Sequence, residues 1–391
     1  MLDYVSDSSA FSRLLSKLEK SRWIALDTEF VSERRFQPQL CLVQIAHEFG
    51  VSLLDPILYR NSFPFWELLA EGDHETIVHA GRGDLEFCIR ETGTLPKRLF
   101  DTQLAAGFVG LEYPAGCANL IARVLNINLP NTETRTDWSR RPLNQNQLEY
   151  GLDDVRYLQP MRELIGGKLE KLNRTSWFEE DMNAWKEKTL WQFGPNRWEK
   201  LVLNSAMERQ SLAIVRELYF WREQRAEMAD CPARRILRDD LIMELAKRKT
   251  YNISKIREIR DFNQSSFTPI IEPIADAVYR AMHLPIKDCP PLMDHDPNCK
   301  MAVLGQLLYS ALGTICKQNS LACNLVANPS DVRQWALWRL RPDLNLHTPL
   351  IEQGWRKSIV GEIFEELLSG KMVIRVAEPA SDEPLEFLRK V

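Results

Sequence analysis

The sequence predicts an α/β domain, a mixed sheet flanked by helices, followed by two all-α helical bundles. Three observations predict it. Short apolar runs of strand length crowd the first eighty residues. From about residue 166 the apolar periodicity turns almost wholly helical. A stretch holding four of the 21 prolines, residues 285–297, then interrupts the helical pattern. Strands early and helices late fit one layered α/β domain with helical modules after it, and 391 residues suffice for two or three domains.

The first domain is expected to cover residues 1–167. Trp23–Val31 reads as a strand, residues 40–46 as a second and residues 51–54 as a third. Their close spacing favours an antiparallel meander. Residues 76–79 form a short fourth strand, and helices are expected over 81–91, 101–108, 115–125 and 144–164. Residues 168–206 are rich in Trp, Lys and Glu and read as a helical linker. A small bundle over 207–285 follows, with helices at 209–228, 239–247, 253–260 and 270–282. Asp239 and Asp240 stand near the start of their helix, where acids suit the helix dipole. Residues 286–299 are a second linker, and 300–391 a second helical domain.

Composition narrows the function classes. The chain is 45% hydrophobic, enough for ordinary cores, yet holds no run of 18 apolar residues that would span a membrane. The opening MLDYVSDSSAFSRLL is acidic and does not read as a secretory signal. Eight scattered cysteines, with no Cys-x-x-Cys, suggest reduced thiols and a cytoplasmic protein. Formal net charge is −4, but residues 209–260 hold 13 Lys/Arg against 8 Asp/Glu, a local +5. The remainder therefore sums to −9, partly through carboxylates that metal ions would neutralise.

Three patterns carry chemistry. In Asp27-Thr28-Glu29, strand alternation points both carboxylates to one face. Two like charges on an apolar strand repel each other and resist burial, and a bound cation removes that cost. A solvated sheet edge is the alternative. Asp84 lies just after a strand, behind Gly81 and Gly83, where function tends to gather and where a helix also favours a first-turn acid. Tyr150 and Asp154 are four apart on an expected helix, so a phenol and a carboxylate share a face, whereas Asp153 points elsewhere. Each pattern alone is weak, but together they supply what two hard divalent ions about 4 Å apart require: several oxygen ligands and a group that orients a water.

These segments resemble the DEDD exonucleases of the tyrosine subtype, and within them ribonuclease D. The resemblance rests on Leu26-Asp-Thr-Glu-Phe30, Gln39-Leu-Cys-Leu-Val-Gln-Ile-Ala46 and His79-Ala-Gly-x-x-Asp84-Leu. It continues through Phe100-Asp-Thr-Gln-Leu-Ala-Ala106, Arg135-Thr-Asp-Trp-Ser-Arg-Arg-Pro-Leu143 and Gln147-x-x-Tyr150-x-x-x-Asp-Val-x-Tyr-Leu158. It implies a ribonuclease H-like fold and 3'→5' hydrolysis that releases 5'-mononucleotides from RNA, tRNA precursors above all. It implies two divalent cations, Mg²⁺ or Mn²⁺, held by Asp27, Glu29, Asp84 and Asp154, with Tyr150 positioning the nucleophilic water. A monomer is the family expectation.

Other residues are candidates for substrate contact. Phe30 would stack a terminal base or belong to the core. Gln44 would reach substrate or satisfy buried backbone. His79 would bind substrate, although the type is more often a satisfied core histidine. Arg135 and Arg140 would touch phosphates or be solvated. The chain departs from its relatives at Asn131, where a lysine is common, and at Gly151-Leu152-Asp153.

Residues 207–284 resemble an HRDC domain through Arg216-Glu-Leu-x-x-Trp221-Arg-Glu-x-Arg225-Ala and the run from Pro232 to Leu245. Arg222, Arg225, Arg234, Arg235, Lys247, Arg248 and Lys249 are its candidate phosphate contacts. Residues 300–391 read as a diverged second copy. Cys289, His295 and Cys299 have spacing too irregular for a zinc site. Two other readings compete with RNA hydrolysis: a DNA exonuclease in repair, since the same site cleaves either polymer, and a silent RNA-binding scaffold, which loss of a carboxylate would signal.

Overall fold

The computed structural model describes residues 3–129, 136–203, 205–292, 301–344, 346–380 and 384–389. Arg135, Asn131, His295 and Cys299 lie outside the described residues. The chain forms two compact units, one of residues 1–29, 40–190 and 298–391, the other of residues 30–39 and 191–297.

The first unit is built on a six-stranded sheet. Its elements are β1 (Asp3–Val5), α1 (Ser8–Leu18), β2 (Trp23–Val31), β3 (Gln39–His47), β4 (Gly50–Leu54), α2 (Phe63–Glu71), β5 (Glu75–Val78), α3 (Arg82–Thr92), β6 (Arg98–Asp101), α4 (Thr102–Phe108), α5 (Cys117–Leu125), α6 (Gln145–Arg156) and α7 (Leu158–Lys171). The strand order is β1-β4-β3-β2-β5-β6. β3 and β4 pair antiparallel, whereas β1 runs parallel to β4 and β5 parallel to both β2 and β6. The sheet is therefore mixed, as the sequence predicts. β3 is buried along most of its length, which its near-continuous apolar run requires of a central strand. α1 turns Ala10, Phe11, Leu14 and Leu18 to the core, and the Asp7 carboxylate caps it by accepting from the Ala10 N–H at 2.9 Å.

Three expectations about these elements are corrected. β1, three residues long, carries too little pattern to be seen. The helix expected over 101–108 starts one residue later: Asp101 ends β6, which the sequence does not announce, and its carboxylate caps α4 through the Gln103 and Leu104 N–H groups. Residues 144–164 are also not one helix: α6 and α7 meet at Tyr157, because Pro160 lacks the N–H that a continuous helix needs there.

A buried ion pair ties down the strap that leads into α6. The Asp55 carboxylate, wholly buried after β4, accepts from the Arg141 guanidinium, the Tyr4 hydroxyl and the Ile57 and Leu58 N–H groups. Arg141 also donates to the carbonyls of Cys41 and Trp138, at 2.5 and 2.8 Å. The strap is thereby fixed to β1, β3 and β4.

After α7 comes α8 (Thr175–Phe193), which up to Leu190 belongs with the sheet and the C-terminal segment. The second unit holds α9 (Arg209–Met228), α10 (Ala233–Ile236), α11 (Asp239–Arg248), α12 (Ile253–Arg257) and α13 (Ile271–Met282). α9 is its spine: Leu212, Val215, Leu218 and Tyr219 are buried against Ile242 and Leu245 of α11 and Ile274 and Val278 of α13.

The C-terminal segment comprises α14 (Ala302–Gln318), α15 (Cys323–Val326), α16 (Pro329–Leu340), α17 (Gly354–Arg356) and α18 (Glu362–Leu368), closed by β7 (Met372–Val376) and β8 (Leu385–Arg389). The antiparallel β7–β8 pair corrects the all-α expectation for this segment. Its runs Met372-Val-Ile-Arg-Val376 and Leu385-Glu-Phe-Leu-Arg389 are short and β-rich, and a tight two-strand pairing satisfies their backbone. Two arginines join this segment to the sheet domain within the first unit. Arg174 donates to the carbonyls of Phe108, Asn319 and Ser320, while Arg356 grips both oxygens of Asp181 at 2.6 and 2.8 Å. Trp355 stacks on Trp177 with centroids 5.1 Å apart.

The Asp55 network sets a prediction. Burial alone would raise the Asp55 carboxyl, but hydrogen bonds from Arg141, Tyr4 and the backbone overcome it and hold the group below the usual carboxylate range. Its stabilisation is therefore present at neutral pH and is lost as pH falls through the depressed value. Asp55→Asn strands the Arg141 charge and lowers Tm at pH 7 by about 6–12 °C. The gap to the parent chain narrows as the pH of the melting experiment is taken below 4; a gap that widens refutes the assignment.

Candidate active site

Four carboxylates converge beside the end of β5 and the middle of β2. The pleat of β2 sends Asp27 and Glu29 to one face, Asp84 is the third residue of α3, and Asp154 stands one turn after Tyr150 on α6. Asp27 is central, since the charges of Asp84, Asp154 and Glu29 all bear on it. Asp84 is buried; Asp27, Glu29 and Asp154 are surrounded by protein yet keep partial solvent contact, the condition of groups lining a recess.

The electrostatics follow from that crowding. Burial, then the charges of Asp84, Asp154 and Glu29, push the Asp27 carboxyl well above its usual range. Burial and the charges of Asp154 and Asp84 push Glu29 up to about 8. Burial, with the charge of Asp153, pushes Asp154 up to about 7, and burial likewise raises Asp84. The strongest charges acting on Asp27 and Glu29 are all carboxylates. Asp154 Oδ2 is buried without a hydrogen-bond partner among the described residues.

Hard oxygen donors that repel each other, one of them orphaned, fit a hard divalent cation. Among the described residues, no three His, Cys, Asp or Glu side chains are already set around one cation-sized point.

Several neighbours hold these groups. The buried Thr28 hydroxyl donates to Asp84 Oδ1 at 2.5 Å. The Trp138 ring lies 6.0 Å from that of Tyr150. α6 begins with a capping box in which the Asn144 side chain accepts from the Gln147 N–H and the Gln147 side chain accepts from the Asn144 N–H. Gln147 also reaches the Thr136 hydroxyl at 3.2 Å. Gly151 lets α6 approach the sheet: a Cβ there would press on Gln44 and Leu42 at 3.3 Å. Asp153 points away and pairs with Arg156 at 3.0 Å.

The remaining candidates divide. Phe30 is 37% exposed and follows Glu29 on the strand. Gln44 is wholly buried under α6, its amide without a hydrogen-bond partner among the described residues, so it presents nothing to a substrate. His79 is a satisfied structural histidine, with Nδ1 2.9 Å from the Thr102 hydroxyl and Nε2 2.9 Å from the Ala115 carbonyl. Arg140 pairs with Asp137. Arg222 is 4% exposed, donates to Asp239 and the Leu237 carbonyl and lies over the Tyr219 ring; it is a core residue and not a phosphate contact. Arg248 and Lys249 pair with Glu244 and Glu208. Arg225, Arg234, Arg235 and Lys247 are exposed, with no ion-pair partner among the described residues.

Sequence reasoning missed Thr28, Asp101, Cys117 and Trp138. Burial pushes up the Cys117 thiol at the start of α5, and the charges of Asp27, Asp154 and Asp101 add to it. Nothing in its own neighbourhood of the sequence announces this. Asp101 and Trp138 sit inside motifs that carry the resemblance, and that was the available signal.

The comparisons agree with this geometry. Residues 2–170 match the 3'-5' exonuclease family and residues 211–278 the HRDC domain. Fold and site thus define a 3'→5' exonuclease, which works with divalent metal, joined to an HRDC domain. The ribonuclease D of Gluconacetobacter diazotrophicus is 30% identical over 95% of this chain and 94% of its own. That of Jannaschia sp. is 31% identical over 90% and 91%. The crystal structure of Escherichia coli RNase D superposes with a TM-score of 0.78 at 23% identity, covering 95% of this chain and 99% of that one. The chain belongs to the ribonuclease D family and is a 3'→5' exoribonuclease.

Crowded like charges also make the site costly in metal-free protein. Asp27→Asn removes the most crowded one, so in the presence of chelator it raises Tm by about 2–4 °C. A lowered Tm in differential scanning calorimetry would contradict the repulsion described above.

Proposed function

We propose that Asp27, Glu29, Asp84 and Asp154 hold two divalent cations, Mg²⁺ or Mn²⁺, and that the enzyme trims the 3' ends of structured RNAs, tRNA precursors among them, in the cytoplasm. The observation that carries the metal assignment is the convergence of four interacting carboxylates with Asp27 at their centre. A cation pair bound there would offset the crowded charge, activate a water and stabilise the leaving 3' oxygen. The protein's own residues do the rest. Tyr150, one helical turn from Asp154, orients the attacking water through its hydroxyl. Trp138 holds the Tyr150 ring, and Thr28 holds Asp84. Phe30, exposed beside Glu29, stacks the terminal base.

The substrate reading rests on the relatives. The E. coli structure is described as an exoribonuclease involved in structured RNA processing. The unpaired cations of the HRDC domain, Arg225, Arg234, Arg235 and Lys247, suit contacts to RNA phosphates outside the cleavage site. No helix among the described residues is long and apolar enough to cross a membrane. Seven of the eight cysteines lie in the described residues as free thiols, compatible with a reducing compartment.

The test is a gel time course with 5'-labelled RNA and DNA of one sequence, Mg²⁺, and the Asp154→Asn variant alongside. A ladder on RNA that vanishes with chelator and in the variant is the expected result. An active Asp154→Asn enzyme sinks the metal assignment, and equal laddering on DNA sinks the RNA preference. Tyr150→Phe lowers kcat about 10²-fold and leaves KM nearly unchanged. Substituting Arg234 and Arg235 together by Ala raises KM for RNA roughly two- to tenfold and flattens its salt dependence, with kcat unchanged; a fall in kcat alone argues against phosphate contacts there.

A further inference from the structure

Asp101 occupies an unusual place in the fold. It ends β6, directly across from Val78 at the end of β5, and is 5% exposed. Its carboxylate accepts four backbone N–H groups. Gln103 and Leu104, at 2.8 and 3.3 Å, are the ordinary first-turn donors of α4. The other two come from a different segment: Ala80 at 3.1 Å and Gly81 at 3.3 Å, in the turn between β5 and α3. That turn launches the helix that carries Asp84.

The turn is strained and tightly packed, with an internal bond from the Arg82 N–H to the Ala80 carbonyl at 2.8 Å. Ala80 adopts a left-handed backbone, φ +53°, which costs a residue with a Cβ roughly 1 kcal/mol. Gly81 passes so close to Val78 that a Cβ would lie 2.5 Å from the valine Cβ. The first helical bond of α3, Leu85 N–H to the Gly81 carbonyl at 3.0 Å, starts from this point. Asp84 projects three residues later, toward Thr28 and Asp27. The two N–H bonds to Asp101 tie Ala80 and Gly81 of this turn to the sheet.

The next two residues brace the opposite wall. The Thr102 hydroxyl meets His79 Nδ1 and lies 3.1 Å from the Val78 carbonyl. His79 Nε2–H and the Gln103 side-chain amide both donate to the Ala115 carbonyl, at 2.9 and 2.8 Å. Ala115 leads directly into α5, whose first residue, Cys117, lies within the field of Asp27 and Asp154. Residues 101–103 thus brace the segments on two sides of the carboxylate cluster while touching none of its four members.

We propose that Asp101 is a positioning residue for the reaction: by binding the Ala80 and Gly81 N–H groups it sets where α3 begins, and so aims Asp84 at the metal-binding recess. This rests on the assignment of Asp84 as a metal ligand. An error of about 1 Å in such a group costs on the order of 10²-fold in rate, and loss of a supporting hydrogen bond costs 10- to 100-fold in metal affinity.

The discriminating variant is Asp101→Ser. A serine keeps an N-cap for α4 but is too short to bridge to residues 80 and 81. The expected result has three parts. At a fixed interval below each protein's Tm, kcat on RNA falls about 10²-fold while KM stays within twofold. The Mn²⁺ concentration giving half the maximal Tm shift rises about tenfold. In metal-free protein, hydrogen exchange quickens at the Ala80 and Gly81 amides. Asp101→Asn, which keeps one accepting oxygen, falls between parent and serine, and it is read by the same three measurements should the serine chain not fold. Glu75→Gln is the control for stability alone, since Glu75 pairs with Arg162 at the far end of β5.

A kcat for Asp101→Ser within twofold of the parent, or no lower than that of Glu75→Gln, overturns the proposal. So does a loss of kcat with unchanged Mn²⁺ response and unchanged exchange at residues 80 and 81. Asp84→Asn in the same assays separates the two levels: full activity there removes the ligand assignment and the positioning role together, whereas an inactive Asp84→Asn beside a fully active Asp101→Ser removes only the positioning role.

Discussion

Mutual repulsion among four carboxylates governs the architecture of this enzyme. Asp27, Glu29, Asp84 and Asp154 come from a strand, a helix start and a late helix; burial raises all four, and acidic neighbours raise Asp27, Glu29 and Asp154 further. Nothing local favours bringing them together, so the surrounding structure must impose the arrangement. That is the ordinary condition of a site whose stabilisation comes from a bound cation, and it explains why so much of the first unit consists of devices that hold backbone in place.

The devices fall on two sides. One is the strap before α6. The Asp55–Arg141 pair, buried with the Tyr4 hydroxyl, fixes residues 138–141 to the sheet and thereby sets Trp138 against Tyr150. The capping box at Asn144 and Gln147 then starts α6 at the register that puts Tyr150 and Asp154 on one face, while Gly151 allows that face to close on β3. The other side is the β5–α3 turn, strained at Ala80 and tight at Gly81, which Asp101 ties to the sheet. Short charge-assisted hydrogen bonds to backbone do this better than apolar packing could, because they specify direction as well as distance.

The helical regions show the same economy of cations in two forms. Arg174, Arg222 and Arg356 are buried and spend their donors on backbone carbonyls and carboxylates, so they organise packing. Arg225, Arg234, Arg235 and Lys247 stand exposed without ion-pair partners among the described residues, which leaves their charge available to a polyanion. Residue type alone does not separate these groups. Residues 301–389 likewise join the sheet domain in one compact unit through Arg174, Arg356 and the Trp177–Trp355 stack, and they end in paired strands that a helical reading of the segment passes over.

Much was legible in the sequence because it depended on short-range regularity. Strand alternation placed Asp27 with Glu29, helical spacing placed Tyr150 with Asp154 and set Asp153 aside, and apolar runs long enough to be central strands declared the sheet. The motifs around them identified the family. β1 and β6 went unread, and so did the longer helices α1 and α2, although β5, as brief as β6, did not. Only the tertiary structure could decide how polar side chains are used: His79 with both ring nitrogens taken, Gln44 sealed under α6, Arg222 turned into the core, and Asp101 reaching across to the turn before Asp84. The sequence by itself determined which residues could do chemistry, because periodicity is written in neighbours. Which of them face solvent, and which hold others in place, was decided by contacts between segments far apart in the chain, and those depend on the packed fold.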